Sequence, residues 1–503
     1  MTAKKNPRIL IVTPEITYLP RGMGNMSNML RAKAGGLADV SASLVAALFK
    51  QGADVHVTLP HYRKMFNIDV GKLISNELRV YTTVLPDSQV HLAEDRAFYY
   101  RDQVYSNYHS DSIRHALAFQ REVINNIIPL VKPDLIHCND WMTGLVPAYA
   151  RRLGVPCLFT VHNIHTQNIT MDTIEDRGID AAEFWENLYF SRTPYNYEES
   201  RQTNPVDLLT TGIFAAHYIN TVSPTFLKEM VDGMHSFIPQ PTRNEIRGKY
   251  HANCAAGILN APDADFNPAI DKHLAARFTA DNMREGKIAN KLLFQRKAGL
   301  IPDPDAPLFF WPSRLDPVQK GCQLLSDILY RVVSDYWQDN LQIAFVANGN
   351  YQQVFHDIVE FHELHNRVAV CDFDDTFSHL GYAASDFTLM PSRFEPCGLP
   401  QMVCQYYGSL PLAHDTGGLH DTVEDLNMDI NTGNGFLFKD YDTGGLRWAF
   451  DQAMRFHKLP WEAKERQLSR IMTEAAKRFN HHVTARAYID IYEHMLHKPL
   501  VNR

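Results

Sequence analysis

The sequence predicts an α/β protein built from two doubly wound parallel-sheet domains with a cleft between them. Three observations carry this expectation. Short apolar runs of strand length alternate with amphipathic helical stretches. The alternation occurs as two consecutive series of similar size. A chain of 503 residues also exceeds what a single hydrophobic core sustains, so more than one domain is required.

Residues 8–13 (Arg-Ile-Leu-Ile-Val-Thr) form a continuous apolar run, as a strand buried on both faces requires. Residues 18–32 are polar, carry Gly and Met, show no period, and read as an inserted loop. From Leu37 onward, Leu37, Val40, Leu44, Ala47 and Leu48 share one helical face, and Gly52 closes the helix. Strands are expected at 54–59, 134–137, 157–162 and 218–223. Two poorly patterned regions interrupt them, about 85–110, rich in tyrosine, and 166–205. The polar segment 255–300, with Pro262 and Pro268, suits a hinge followed by a helix. The second series has strands at 307–311, 342–346, 368–370, 387–390 and 410–413, with helices such as 322–333 and 399–407 between them. Residues 446–457, 461–479 and 483–496 read as closing helices.

Composition narrows the class. Hydrophobic residues at 45% and charged ones at 21% are ordinary for a globular protein, and no eighteen-residue apolar run suggests a membrane span. The opening Met-Thr-Ala-Lys-Lys-Asn-Pro has no apolar core of a signal peptide. Seven cysteines, scattered without metal-like spacing, fit free thiols in a reducing cytoplasm. A net charge of −8 without a Lys/Arg block argues against a nucleic-acid partner. No His/Cys/Asp cluster has metal-ligand spacing, and no Gly-x-Ser-x-Gly elbow points to a hydrolase triad.

The chemistry concentrates where strands end. Pro391-Ser-Arg-Phe-Glu-Pro-Cys-Gly-Leu-Pro-Gln401 follows an apolar strand, and Glu395 lies in a loop tightened by Pro396 and Gly398. A helix then begins, and a further short strand ends in a Thr416-Gly-Gly-Leu419 turn. One carboxylate therefore lies beside two sets of backbone donors at the carboxyl edge of a sheet, where open α/β folds bind ligands. Ser313-Arg314-Leu315 and Gln319-Lys320-Gly321 put two cations at a strand end and a helix start, a clamp for a pyrophosphate or else a pair of surface cations. Lys33-Ala-Gly-Gly precedes a helix and suits either a phosphate or a structural turn. Asp140-Trp141 follows the strand at Leu135; a carboxylate and an aromatic platform for a sugar, or an N-cap and a core tryptophan, both fit. His162, in Thr160-Val-His-Asn163, ends the next strand on the same side.

In order along about residues 8–425, these segments resemble the bacterial glycogen and plant starch synthases, the ADP-glucose-type retaining glycosyltransferases of family 5. The matches are Lys33-Ala-Gly-Gly-Leu-Ala-Asp-Val, Asn139-Asp-Trp, Thr160-Val-His-Asn, Thr221-Val-Ser-Pro224, Gly257-Ile-Leu-Asn260, Ser313-Arg-Leu, Gln319-Lys-Gly, the run through Glu395, and Thr416-Gly-Gly-Leu. The resemblance implies a GT-B fold of two Rossmann-like domains, 1–255 on the acceptor side and 256–475 for the donor, with residues 476–503 packing back on the first. It implies no metal ion and no cofactor. Arg314 and Lys320 would hold the donor diphosphate and stabilise charge on the leaving nucleotide. Thr416, Gly417 and Gly418 would add backbone donors, with Lys33, Gly35 and Gly36 closing from the first domain. Phe373 would stack on the base, and Asn260, Glu395, Cys397, Gly398 and Leu399 would surround the glucosyl group. Asp140 and His162 would line the sugar pocket near the developing oxocarbenium ion.

Departures from the family pattern are few on the donor side: one extra residue between Arg314 and Lys320, and Asn348-Gly-Asn350 in place of a Gly-x-Gly turn. They accumulate on the acceptor side, at 18–32, Asp111-Ser112, His165-Thr-Gln-Asn168, Thr210 and Gly257-Ile-Leu-Asn-Ala-Pro-Asp263. The leading expectation is glucosyl transfer from ADP-glucose to the non-reducing end of an α-1,4-glucan. A different, possibly small, acceptor and an inactive glucan-binding protein are the alternatives.

Overall fold

The computed structural model describes residues 6–24, 30–34, 36–66, 89–106 and 108–501, with the backbone alone at His109. The chain divides into two compact units: Met1–Val222, Leu227–Ile258 and His481–Arg503 form the first, and Ser223–Phe226 with Leu259–Asn480 the second.

The first unit contains β1 (Arg8–Val12), β2 (Asp54–Pro60), β3 (Val90–Ala93), β4 (Leu135–Asn139), β5 (Cys157–Val161), a two-stranded ribbon of β6 (Asn168–Ile169) and β7 (Val206–Asp207), then β8 (Tyr218–Thr221) and β9 (Ala255–Gly257). All but the ribbon join one sheet in the order β3-β2-β1-β4-β5-β8-β9, every pair parallel. Ile9 pairs with Val55 on one side and Leu135 on the other, so the strand order reverses direction at β1 and β4. In an open sheet that reversal leaves a crevice at the carboxyl ends. β1, β4 and β5 are buried almost throughout, which is why their sequences read as uninterrupted apolar runs.

The second unit contains β10 (Leu308–Trp311), β11 (Gln342–Val346), β12 (Val368–Cys371), β13 (Phe387–Met390), β14 (Leu410–His414) and β15 (Phe436–Phe438). Their order is β12-β11-β10-β13-β14-β15, again all parallel, with the reversal between β10 and β13. The core on this sheet is markedly aromatic: Phe309 stacks with Phe387 at 4.8 Å and packs at a tilt against Phe450 at 4.7 Å.

The last helix, His481–Leu496, belongs to the first unit through a buried polar chain. Tyr492 Oη lies 2.7 Å from His137 Nδ1, His137 Nε2 lies 2.6 Å from Thr160 Oγ1, and Thr160 donates to Asn220 Oδ1 at 2.6 Å. Asn220 then donates to Tyr488 Oη at 3.1 Å. Since the threonine proton goes to Asn220, His137 donates from Nε2 and accepts at Nδ1. Burial lowers its pKa to about 3, so the chain is neutral. Such a fully satisfied network positions the helix rather than serving a reaction.

Several elements depart from the sequence expectations. Strands β3, β9 and β15 were not predicted: Val-His-Leu-Ala, Ala-Ala-Gly and Phe-Leu-Phe are too short or too poor in β-branched residues to stand out. Gly417 and Gly418, read as a turn, instead open the short helix Gly417–Thr422. The region 166–205 holds several brief helical turns. The 18–32 segment is tied at its base by an antiparallel bridge between Ile16 and Ala32, while its residues 25–29 lie outside the described residues. Among the described residues, no helix is long and apolar enough to cross a membrane.

Candidate active site

In the second unit, three loops at the carboxyl edge meet through backbone. After β10 the chain reaches Gly321, at φ +74°, where a Cβ would sit 1.9 Å from the Pro391 carbonyl oxygen. Only glycine allows that approach. The Arg393 amide donates to the Gln319 carbonyl at 2.8 Å, which locks the loop after β10 to the loop after β13. Lys320 and Glu395 are thereby forced together: Nζ lies 2.5 Å from Oε2, with the residues 9% and 5% exposed. Ser392 Oγ donates to the same carboxylate oxygen at 3.1 Å. The loop after β14 joins next. Gly418 donates its amide to the Glu395 carbonyl at 2.9 Å, and a Cβ on it would lie 2.0 Å from the Cys397 carbonyl oxygen.

Gln401 braces this arrangement by donating to the carbonyls of Cys397 and Gly398, each at 3.0 Å. Gly398 turns at φ +71°, and Leu399 is the N-cap of the helix Pro400–Tyr406. Thr416 caps Gly417–Thr422 in extended conformation, and Gly417 is left-handed at φ +46°. The Asn260 amide bonds to the Cys397 sulfur, whose thiol burial pushes up to about 12. The side-chain carbonyl of Asn260 is buried without a partner among the described residues, and so is that of Gln401. Two unmet acceptors beside a carboxylate favour a ligand rich in hydroxyl donors.

Arg314 and Phe373 stand apart from this knot. Arg314 is exposed, and its guanidinium makes no hydrogen bond or ion pair among the described residues. Phe373 is 52% exposed. Asn348 links their loops: its carbonyl accepts from Leu315 at 3.0 Å, and its side chain accepts from the Phe373 amide at 2.9 Å. The Asn348-Gly-Asn350 departure thus has a structural role, since Gly349 brings this turn within 2.4 Å of Leu315 O, measured from an added Cβ.

In the first unit, Asp140 sits just past β4 at φ +57°, a strained conformation for a residue with a Cβ. Its carboxylate does not cap the following turn, Trp141–Thr143. It accepts instead from the His162 amide at 2.8 Å and from Asn163 Nδ2 at 3.0 Å. Burial drives its pKa up to about 7, the two hydrogen bonds pull it back, and the charge of Glu15 pushes it further up. His162 Nε2 lies 3.0 Å from Asn139 Oδ1. Because Asn139 Nδ2 already donates to the Val12 carbonyl, Oδ1 must accept, so His162 carries its proton on Nε2 and presents Nδ1 as the basic nitrogen. Burial lowers its pKa to about 3.

Glu15 was missed by sequence reasoning. It is 1% exposed, and it accepts from the Ala34 amide at 2.6 Å and from Tyr105 Oη at 3.1 Å. Its signal was there to read: an acidic residue three positions past β1, a strand at a reversal point of the sheet. Through Ala34 it ties the Lys33 loop to the Asp140 cluster. Lys33 itself pairs with Asp39 at 2.9 Å, in the first turn of the helix Gly36–Lys50, which Gly36 opens. Gly35 lies outside the described residues. Trp141 is 4% exposed and packs edge-on to His165 at 5.5 Å, so it is a wall and not an open platform. A cavity of about 300 Å³ opens here, lined by Tyr105, Ser112, Asp140, Trp141, Asn163 and His165 among others.

Residues 8–238 match the starch synthase catalytic domain, and residues 295–470 match the glycosyl transferases group 1 family. The chain is 33% identical to the glycogen synthase of Moorella thermoacetica over 479 residues, covering 90% of both chains. It is 32% identical to that of Kosmotoga olearia, covering 92% of this chain and 95% of the relative. The catalytic domain of starch synthase IV from Arabidopsis thaliana, bound to ADP and acarbose, superposes with a TM-score of 0.77 at 25% identity, covering 98% of this chain and all of that one. Sucrose-phosphate synthase from Thermosynechococcus elongatus shares the fold, with a TM-score of 0.56 at 15% identity. With two parallel-sheet units of the GT-B type and this degree of identity over nearly the whole length, the chain belongs to the glycogen and starch synthase family of glycosyltransferases.

Proposed function

We propose that the protein is a cytoplasmic enzyme that elongates an α-1,4-glucan, moving glucose with retention from ADP-glucose to the non-reducing end. The observation that carries this reading is the buried Lys320–Glu395 pair, held by three loop backbones at the reversal point of the second sheet. A buried ion pair at a ligand crevice is poised for exchange, since a diphosphate competes for the ammonium and a hexose hydroxyl for the carboxylate. Lys320 would then neutralise the leaving diphosphate as a point charge, and the open Arg314 guanidinium would supply a fork. The amides opening Gly417–Thr422 add donors. Thr416, Asn260, Cys397, Gly398 and Leu399 would shape the donor site, and Phe373 offers an exposed ring for the base.

On the first unit, Asp140 and the neutral His162 would receive the growing end of the glucan. A front-face displacement, in which the departing phosphate takes the acceptor proton, needs no protein nucleophile, and Glu395 then acts by binding. A second reading, transfer to a different acceptor, rests on one observation. Two of the departures from the family pattern, Ser112 and His165, line the cavity beside Asp140.

A matrix of ADP- and UDP-glucose against glycogen, maltooligosaccharides and small sugars tests both. Chain lengthening from ADP-glucose supports the first reading. ADP release without longer glucans overturns it in favour of the second.

A further inference from the structure

A second cavity in the first unit has a chemistry that the transfer reaction does not use. It encloses about 460 Å³ and is lined by five arginines: Arg96, Arg101, Arg114, Arg121 and Arg177. Arg121 is neutralised by Asp95 at 2.7 Å and Glu122 at 2.6 Å, and Arg114 pairs with Asp111 at 3.2 Å. The other three have no carboxylate partner among the described residues. Arg101 donates to the backbone carbonyls of Gln103 at 2.9 Å and Val104 at 3.4 Å and lies against the buried His115. Arg96 and Arg177 are exposed, and their guanidiniums make no hydrogen bond or ion pair among the described residues.

Three guanidiniums without a carboxylate partner around one concavity create a positive potential that Asp95 and Asp111 offset only in part. His115 feels it: burial first, then the charges of Arg101 and Arg114, partly opposed by Asp111 and Asp95, lower its pKa to about 4, so it stays neutral behind Arg101. Arginine is the side chain suited to this work, because its planar fork meets a phosphate with two parallel N–H bonds. A cavity of this size holds a small metabolite and excludes a polymer chain of more than a few units.

The cavity shares its frame with the acceptor-side cavity. Tyr105, whose hydroxyl bonds to Glu15, follows directly on the two carbonyls that Arg101 holds, and the helix His109–Glu122 contributes Ser112 to one cavity and Arg114 to the other.

We infer that the arginine-lined cavity is a binding site for a small phosphorylated metabolite, distinct from the donor site. The test is calorimetric titration of the full chain with inorganic phosphate at constant ionic strength. Binding should be kept in the R314A/K320A variant and weakened at least tenfold in R96A/R177A. The charge-reversed R96E/R177E variant should abolish it; both positions are exposed, so neither change opens the core. No phosphate binding by the wild-type chain overturns the proposal. So does unchanged affinity in R96A/R177A and R96E/R177E, or loss of binding in R314A/K320A alone, which would return the phosphate to the donor clamp. None of these readouts depends on glucosyl transfer.

Discussion

In the second unit the charged residues of the candidate site are set by backbone, whereas in the first they are set by side chains. Lys320 meets Glu395 because Gly321 lets one loop rest on Pro391 and Gly418 lets another rest on Cys397. Asp140 and Glu15 instead take their places by accepting hydrogen bonds from His162, Asn163, Ala34 and Tyr105. Backbone contact through glycine tolerates almost no substitution, while a hydrogen-bonded cluster can exchange partners and keep its shape. Of the departures from the family pattern, Ser112 and His165 line the cavity beside Asp140, whereas the 257–263 segment brings Asn260 against Cys397.

The largest effects are expected at the clamp. Lys320→Ala and Arg314→Ala should each lower kcat by about a hundredfold, the cost of one transition-state charge stabiliser. Only Lys320→Ala should also lose stability, about 3 kcal/mol, because Glu395 is left buried without its counter-ion. Steady-state kinetics and chemical denaturation separate the two; near-normal turnover in both variants would show the clamp to be misassigned. Gly418→Ala should weaken ADP binding by about tenfold or more and lower Tm, since a Cβ meets the Cys397 carbonyl at 2.0 Å and backbone must move. Unchanged ADP titration curves would remove the backbone argument.

The first unit should answer to pH instead. Asp140 has its pKa raised from 3.8 to about 7, so between those values the folded chain holds a proton that the unfolded chain has lost. Stability therefore falls as pH rises from about 4 to 7, and Asp140→Asn should flatten that slope. The same variant should erase any titration of kcat near pH 7, while His162 contributes none because its pKa is about 3. A slope that survives Asp140→Asn would assign it to another group. Phe373→Ala should raise the donor KM about fivefold and leave kcat alone, as loss of about 1 kcal/mol of stacking implies. Ser112→Asn should shift the acceptor KM by about threefold without moving the donor KM, the scale of one exposed hydrogen bond. A donor effect there would contradict the division of labour.

Much of this was legible in the chain because buried parallel strands leave a strong trace. β11 and β13 run over the residues expected of them, and the helices Cys322–Asp335 and Trp461–Arg478 follow their apolar periodicity. The edge strands β3, β9 and β15 left no trace, since three or four residues with little β-branching carry too few apolar side chains to make a pattern. Glu15 was overlooked for a related reason. Its place just past a strand is local, but its partners Ala34 and Tyr105 are distant in sequence, and they are what mark it out.

The two parallel-sheet units, the family and the residues gathered around Glu395 could be read from the chain alone, because strand periodicity and glycine spacing are local properties. Only the tertiary structure decided which charges are paired, which carboxylate takes up a proton near neutrality, and which arginines converge on one cavity. Those are sums over neighbours brought close by folding, and burial sets their strength.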